Sequence, residues 1–209
     1  MRHPDGLIEA VYDLASQLPR CNCETPTKDL AANGLYLFFE TGETIIHRGD
    51  VSHRIVRVGI NTAQGRFPKR VREHFRNNKN RSAFRRHLGG ALLAQDDPAD
   101  PRFPEWVASK GHRDRAVEAR VSAVLRDRFT YSYVAIESKS DRRDLERGLI
   151  ALLAKHANQR SDRWLGQWAV SDAIRRSSLW NSVHVDAQPL SEDGLEVLER
   201  SVAATLEAR

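Results

Sequence analysis

Two short segments constrain this chain more than any other feature. Residues 35–40 (LYLFFE) are apolar or aromatic up to the final Glu40, the composition of a buried strand. Residues 54–60 (RIVRVGI) alternate well enough to pair back on it. Thr41-Gly42-Glu43 is expected to supply the turn, with the polar, glycine-containing residues 47–52 as an excursion before the second strand. A third strand is read at residues 129–137 (FTYSYVAIE), rich in aromatic and β-branched side chains.

The remaining periodicity is helical. Leu7, Ile8, Val11, Leu14, Ala15 and Leu18 recur at helical spacing, and residues 19–28 then read as a linker. Pro68 suits the first turn of a helix running to about Asn78, with Val71 and Phe75 as its inward pair. Ser82 is placed to cap the next helix, whose stripe is Phe84, Leu88, Ala91 and Leu92. Three prolines within residues 96–104 mark a loop, the start of an insertion near 96–120, and Val117, Val121, Val124 and Leu125 form a helical pattern at its far end. Asp141 is read as the cap of a helix through Leu145, Leu149, Ile150, Leu152 and Leu153. Residues 183–185 are read as a short strand, and Ser191 opens a last helix with Leu195, Leu198, Val202 and Leu206 on one face. The expected class is α/β of the α+β kind: a small, mainly antiparallel three-stranded sheet flanked by helices, with extra N- and C-terminal helices. The expected division is residues 1–28 as helix and linker, 29–186 as the main domain and 187–209 as a C-terminal helix.

A chain of 209 residues makes one ordinary domain with appendages. No apolar run approaches the roughly 18 residues of a membrane span, and residues 1–6 carry no basic-then-apolar leader, so a cytoplasmic protein without membrane partners is expected. Cys21 and Cys23 are too few and too close to staple a fold, and no second pair at zinc spacing joins them.

Charge is unevenly placed. Between Arg66 and Arg86 stand nine basic residues (Arg66, Lys69, Arg70, Arg72, Arg76, Lys79, Arg81, Arg85, Arg86) and one acid, Glu73. This stretch carries +8 of a chain whose total is +5, leaving −3 for the rest. A block of one sign in an ordered segment marks a polyanion partner such as nucleic acid, the plainer account being a soluble surface.

A few residues invite a chemical reading. Glu146 shares a helix face with Leu149, Ile150 and Leu153, so its carboxylate is paired, protonated or metal-bound, or else sits partly exposed at the edge of the stripe. Arg70 and His74, at i and i+4, flank Val71 and Phe75 and stand where a phosphate could meet both. They could equally be surface residues of a basic helix. His87 lies on an apolar stripe and reads as a satisfied core histidine, and the four tryptophans read as packing groups.

Taken in order, hairpin, basic helix, strand, helix with an inward Glu and a late Asn resemble the GIY-YIG nuclease domain. Gly34-Leu35-Tyr36 is similar to the GIY half, and Arg57-Val58-Gly59 stands where the YIG half should be, with Arg57 in place of its tyrosine. Arg70 and His74 in residues 69–75 (KRVREHF), Glu146 in residues 145–150 (LERGLI) and Asn181 in residues 179–181 (LWN) match the family's helix, metal-binding Glu and late Asn. Residues 82–89 (SAFRRHLG) resemble a stretch of some restriction-type and stand-alone members.

What the resemblance implies is a divalent-metal-dependent endonuclease that hydrolyses double-stranded DNA with Mg²⁺ or Mn²⁺. Glu146 would bind the metal, Arg70 would neutralise the scissile phosphate, Asn181 would hold the site together, and Tyr36 would activate water with His74 accepting or relaying its proton. The substitution itself, rather than the resemblance, motivates the expectation that Arg57, across the hairpin from Tyr36, supplies the positive field in place of the missing tyrosine. Lys69, Arg72, Arg76, Lys79, Arg81, Arg85 and Arg86 would dock DNA. With one site per chain, cutting both strands calls for a homodimer or for two encounters. The alternative is a catalytically impaired nucleic-acid-binding module of the same fold.

Overall fold

The computed structural model describes residues 4–76, 78–108, 111, 113–156 and 160–208, the side chains of residues 4 and 5 aside. Helix α1 (Pro4–Gln17) precedes strands β1 (Gly34–His47) and β2 (Asp50–Ile60). Helices α2 (Phe67–Arg76), α3 (Ala83–Asp96), α4 (Phe103–Val107) and α5 (Arg115–Arg128) lead to β3 (Phe129–Ala135). Helices α6 (Lys139–Lys155), α7 (Asp172–Ser177) and α8 (Glu192–Glu207) complete the order. The three strands form one antiparallel sheet, as expected, and their order is β2-β1-β3.

The period of two sorts the sheet's side chains between two cores. Leu35, Leu37, Phe39, Val58, Ile60 and Val134 point to the layer built by α1, α6 and α8. Tyr36, Phe38, Val56, Phe129, Tyr131 and Tyr133 point to the layer built by α2, α3, α4 and α5. The terminal helices therefore complete the first core: Val11, Leu195, Leu198 and Val202 are all buried in it.

Several local expectations give way. The turn lies at Arg48-Gly49, where both residues take positive φ (49° and 86°) and close a two-residue connection between paired His47 and Asp50. Thr41-Gly42-Glu43 is a bulge inside β1 instead, with residues 40–43 accommodated between the pairs Phe39–Ile55 and Thr44–His53. A second bulge, at Val56, separates the pairs Phe38–Arg57 and Phe39–Ile55 and turns Val56 away from the face that Val58 and Ile60 share. Ser138 caps α6 by accepting from the Asp141 N–H, so Asp141 sits one turn inside and favours the positive end of the helix dipole. Residues 183–185 form bends and turns. Ser82 and Ser191 cap α3 and α8 as read from the sequence.

Candidate active site

Tyr36, Arg57, Ile60, Asn61, Arg66, Lys69, Arg70, Glu73 and Glu146 line one cleft of about 340 Å³. Strand β1 supplies Tyr36, β2 supplies Arg57, α2 supplies Lys69, Arg70 and Glu73, and α6 supplies Glu146. Behind the cleft the buried His74 lies 2.8 Å through Nε2 from the Tyr36 hydroxyl and 2.8 Å through Nδ1 from Ser82 Oγ. Burial, then the charges of Arg70, Arg57 and Arg85, hold the His74 imidazole well below its ordinary range, so it is neutral.

Burial works against the charge of Arg70, yet Tyr36 and Glu73 outweigh it and hold the guanidinium more firmly protonated than a free one. Arg70 donates to Glu73 at 3.5 Å and to the Arg81 carbonyl at 3.2 Å. Arg57 donates to the Trp180 carbonyl and lies 5.0 Å over the Phe84 ring. Its strand partner is Phe38, while Tyr36 pairs with Gly59, so Arg57 stands diagonal to Tyr36 rather than directly across from it. Glu146 is pushed up from the usual carboxylate range by burial, with Arg57, Arg70 and the Ile60 N–H pulling the other way.

The outward backbone edge of β2 is where the parts meet. Val56 O accepts from Trp180 N at 2.7 Å, Asn181 clamps both the N–H (3.1 Å) and the C=O (2.9 Å) of Val58, and the Ile60 N–H favours the charged form of Glu146. Asn181 is buried and holds the strand without facing the cleft.

In comparison with known families, a family model described as "GIY-YIG domain" matches residues 7–208. The chain belongs to the GIY-YIG family. Membership supports a nuclease-type function. No curated protein and no solved structure matches the chain.

The GIY-YIG glycines have a steric reason here. A Cβ on Gly59 would stand 2.2 Å from the Tyr36 hydroxyl, so the bare backbone is what lets the phenol lie across β2 toward His74. A Cβ on Gly34 would meet the Val134 carbonyl at 2.6 Å.

The basic block divides into four. Arg66, Lys69 and Arg70 line the cleft. Arg72 and Arg76 instead donate to Thr27 Oγ1 (3.0 Å) and the Cys23 carbonyl (3.3 Å), tying the loop before β1 to α2. Lys79 and Arg85, expected on a DNA-docking surface, are buried and structural. Lys79 Nζ bonds the carbonyls of Glu105 (2.7 Å), Trp106 (2.9 Å) and Ala108 (3.3 Å) at the end of α4, and Arg85 pairs with Glu118 at 2.8 Å. Arg81 is exposed near Arg70, and the Arg86 carbonyl accepts from the Trp106 indole at 2.9 Å.

His87 is only half-buried, 3.2 Å from Ser182 Oγ, and burial, Arg57 and Arg86 bring it down to about 4. Trp106, Trp164 and Trp180 are packing groups as expected, whereas Trp168 is 41% exposed. In the sequence Ser82 reads only as a cap. Its proximity to His74 left no local signal, since the two residues lie on different helical elements.

Among the described residues no cluster of three or more His, Cys, Asp or Glu could hold a metal ion. Hard oxygen donors do converge on the cleft, from Glu146, Glu73 and Tyr36. One carboxylate with water and phosphate oxygens is the manner in which Mg²⁺ is usually held, so the donor chemistry fits. Among the described residues no helix is long and apolar enough to cross a membrane.

Proposed function

We propose that this protein is an endonuclease that hydrolyses DNA phosphodiester bonds with a divalent cation, Mg²⁺ or Mn²⁺, held by Glu146. The observation that carries the reading is the convergence of Tyr36, Arg57, Arg70 and Glu146 on one cleft with His74 behind the phenol. A bound cation there would supply Lewis-acid stabilisation of phosphate oxygens. Arg70, fixed by Glu73 and the Arg81 carbonyl, is positioned to neutralise charge building on the scissile phosphate. Tyr36 presents its oxygen to the water that attacks, with His74 as its partner. Arg57 provides a positive field where the second tyrosine would stand, and Asn181 keeps β2 in register for Arg57 and Gly59. Arg66 and Lys69 extend the cationic surface along the DNA backbone. Each chain offers one cleft, so cutting both strands of a duplex takes two chains or two encounters.

Supercoiled-plasmid nicking with Mg²⁺ or Mn²⁺ tests this. The parent protein nicks, and Glu146→Ala and Arg70→Ala each lose about 10²- to 10³-fold in rate. Nicking that persists in Glu146→Ala would exclude this site. The replacement of the second tyrosine by Arg57 is the one observation favouring a binding-only module. That reading wins if none of the proteins nicks while all bind DNA with steep salt dependence.

A further inference from the structure

The contact between Tyr36 and His74 continues inward to a residue the nuclease reading does not use. Ser82 and His74 are both fully buried. A neutral imidazole carries one hydrogen, so one of its ring nitrogens donates and the other accepts. A serine hydroxyl carries one hydrogen and two lone pairs. Ser82 Oγ accepts the Arg85 N–H at 3.2 Å as the cap of α3, and among the described residues its other partner is His74 Nδ1 at 2.8 Å.

These counts decide the direction. With the hydrogen on Nδ1, Ser82 Oγ would accept twice and its own proton would be buried without an acceptor, which is costly. With the hydrogen on Nε2, Ser82 donates to Nδ1, and the one hydrogen left without a protein acceptor is that of the Tyr36 phenol, which lines the cleft and can be met there by water or substrate. We infer that Ser82 is a positioning residue: it locks His74 with its hydrogen on Nε2 and so makes the imidazole a donor to the Tyr36 hydroxyl oxygen.

Hydrogen bonds then run one way, from Arg85 N–H to Ser82, to His74, to Tyr36. Arg70 lines the same cleft as this phenol, and its positive charge acts on it. The phenolic hydrogen is thereby turned toward the cleft, and His74 steadies the oxygen instead of taking its proton, the reverse of the accepting role that the family resemblance implied. The bearing on catalysis rests on the nuclease reading, while the tautomer does not.

Ring ¹⁵N shifts of His74 in the full-length labelled protein, assigned by their absence in His74→Asn, report the tautomer directly. Ser82→Gly removes the hydroxyl while keeping most of the capping preference, and Ser82→Thr retains the hydroxyl. The parent and Ser82→Thr are expected to show a protonated Nε2 and a bare Nδ1. In Ser82→Gly the two shifts move toward each other as the lock is lost. Its nicking kcat is expected to fall about tenfold, with KM for the plasmid changed less than about twofold. A hydrogen on Nδ1 in the parent, or identical shifts in Ser82→Gly, would overturn the inference. Absent nicking alongside a protonated Nε2 in the parent would sink the nuclease reading alone and leave this one standing.

Discussion

Two charged clusters lean on the same stretch of chain before α8, and they are balanced differently. At the bulge of β1, Glu43 pairs with Arg54 at 2.6 Å and accepts from Ser161, while Glu40 lies 2.9 Å from Arg128 and accepts from the Trp180 indole at 3.2 Å. Both carboxylates there are buried and each has its own guanidinium. In the cleft, Arg57, Arg66, Lys69 and Arg70 face Glu73 and Glu146, and the Arg57 side chain reaches the carbonyl of the same Trp180. Where the signs cancel, the cluster holds distant segments together. Where cations are in excess, the surface is prepared for an anion that the protein itself does not provide.

The largest effect separates the two by stability. Glu43→Ala strands Arg54 in the core and should cost about 3–5 kcal/mol in urea denaturation. Glu146→Ala, at the half-open cleft, should cost less than about 1 kcal/mol. Equal losses would erase the distinction.

A smaller effect concerns pH. Burial, offset in part by Arg128 and the Trp180 indole, pushes Glu40 up to about 7 from 4.5. The folded protein binds this proton more tightly than the unfolded chain does. The associated stability is therefore full below about pH 4.5 and lost as pH rises through 7, a swing of roughly 3 kcal/mol. Glu40→Gln should flatten the stability profile across that window, and a slope unchanged by the substitution would assign it to other groups.

The smallest effect sharpens the cleft itself. Arg66→Ala and Lys69→Ala should each reduce the salt slope of DNA binding by about 0.9, while Arg72→Ala and Arg76→Ala, whose side chains are committed to the loop before β1, leave it unchanged. A reduced slope in Arg72→Ala would return that helix face to the DNA.

Patterns set by neighbours in sequence were legible: strand alternation, helix stripes, and the caps Ser82 and Ser191. Features set by distant partners were not. The bulge at residues 40–43 is held by Arg54, Arg128 and Ser161, and nothing near Gly42 distinguishes it from the true turn at Arg48-Gly49. Arg85 did leave a trace, because it stands three and seven residues before Leu88 and Leu92 on the apolar stripe, but Glu118, which neutralises it, is 33 residues away. The cleft residues Tyr36, Arg70 and Glu146 could be named from motifs, whereas the hydrogen count that orients His74 needed Ser82 in place beside it.

The clamp of Asn181 on Val58 also governs when the site can exist during synthesis. β2 is an edge strand, and its outward N–H and C=O groups stay open to any passing strand until Trp180 and Asn181 arrive. A nascent chain can close its hairpin early, but the arrangement that places Arg57 and Gly59 waits on contacts 123 residues apart. Non-local closure of this kind is slow. The growing polypeptide therefore carries an unsealed sheet edge until residues 180 and 181 have been made, and only then can the cleft of Tyr36, Arg57 and Glu146 take its final form.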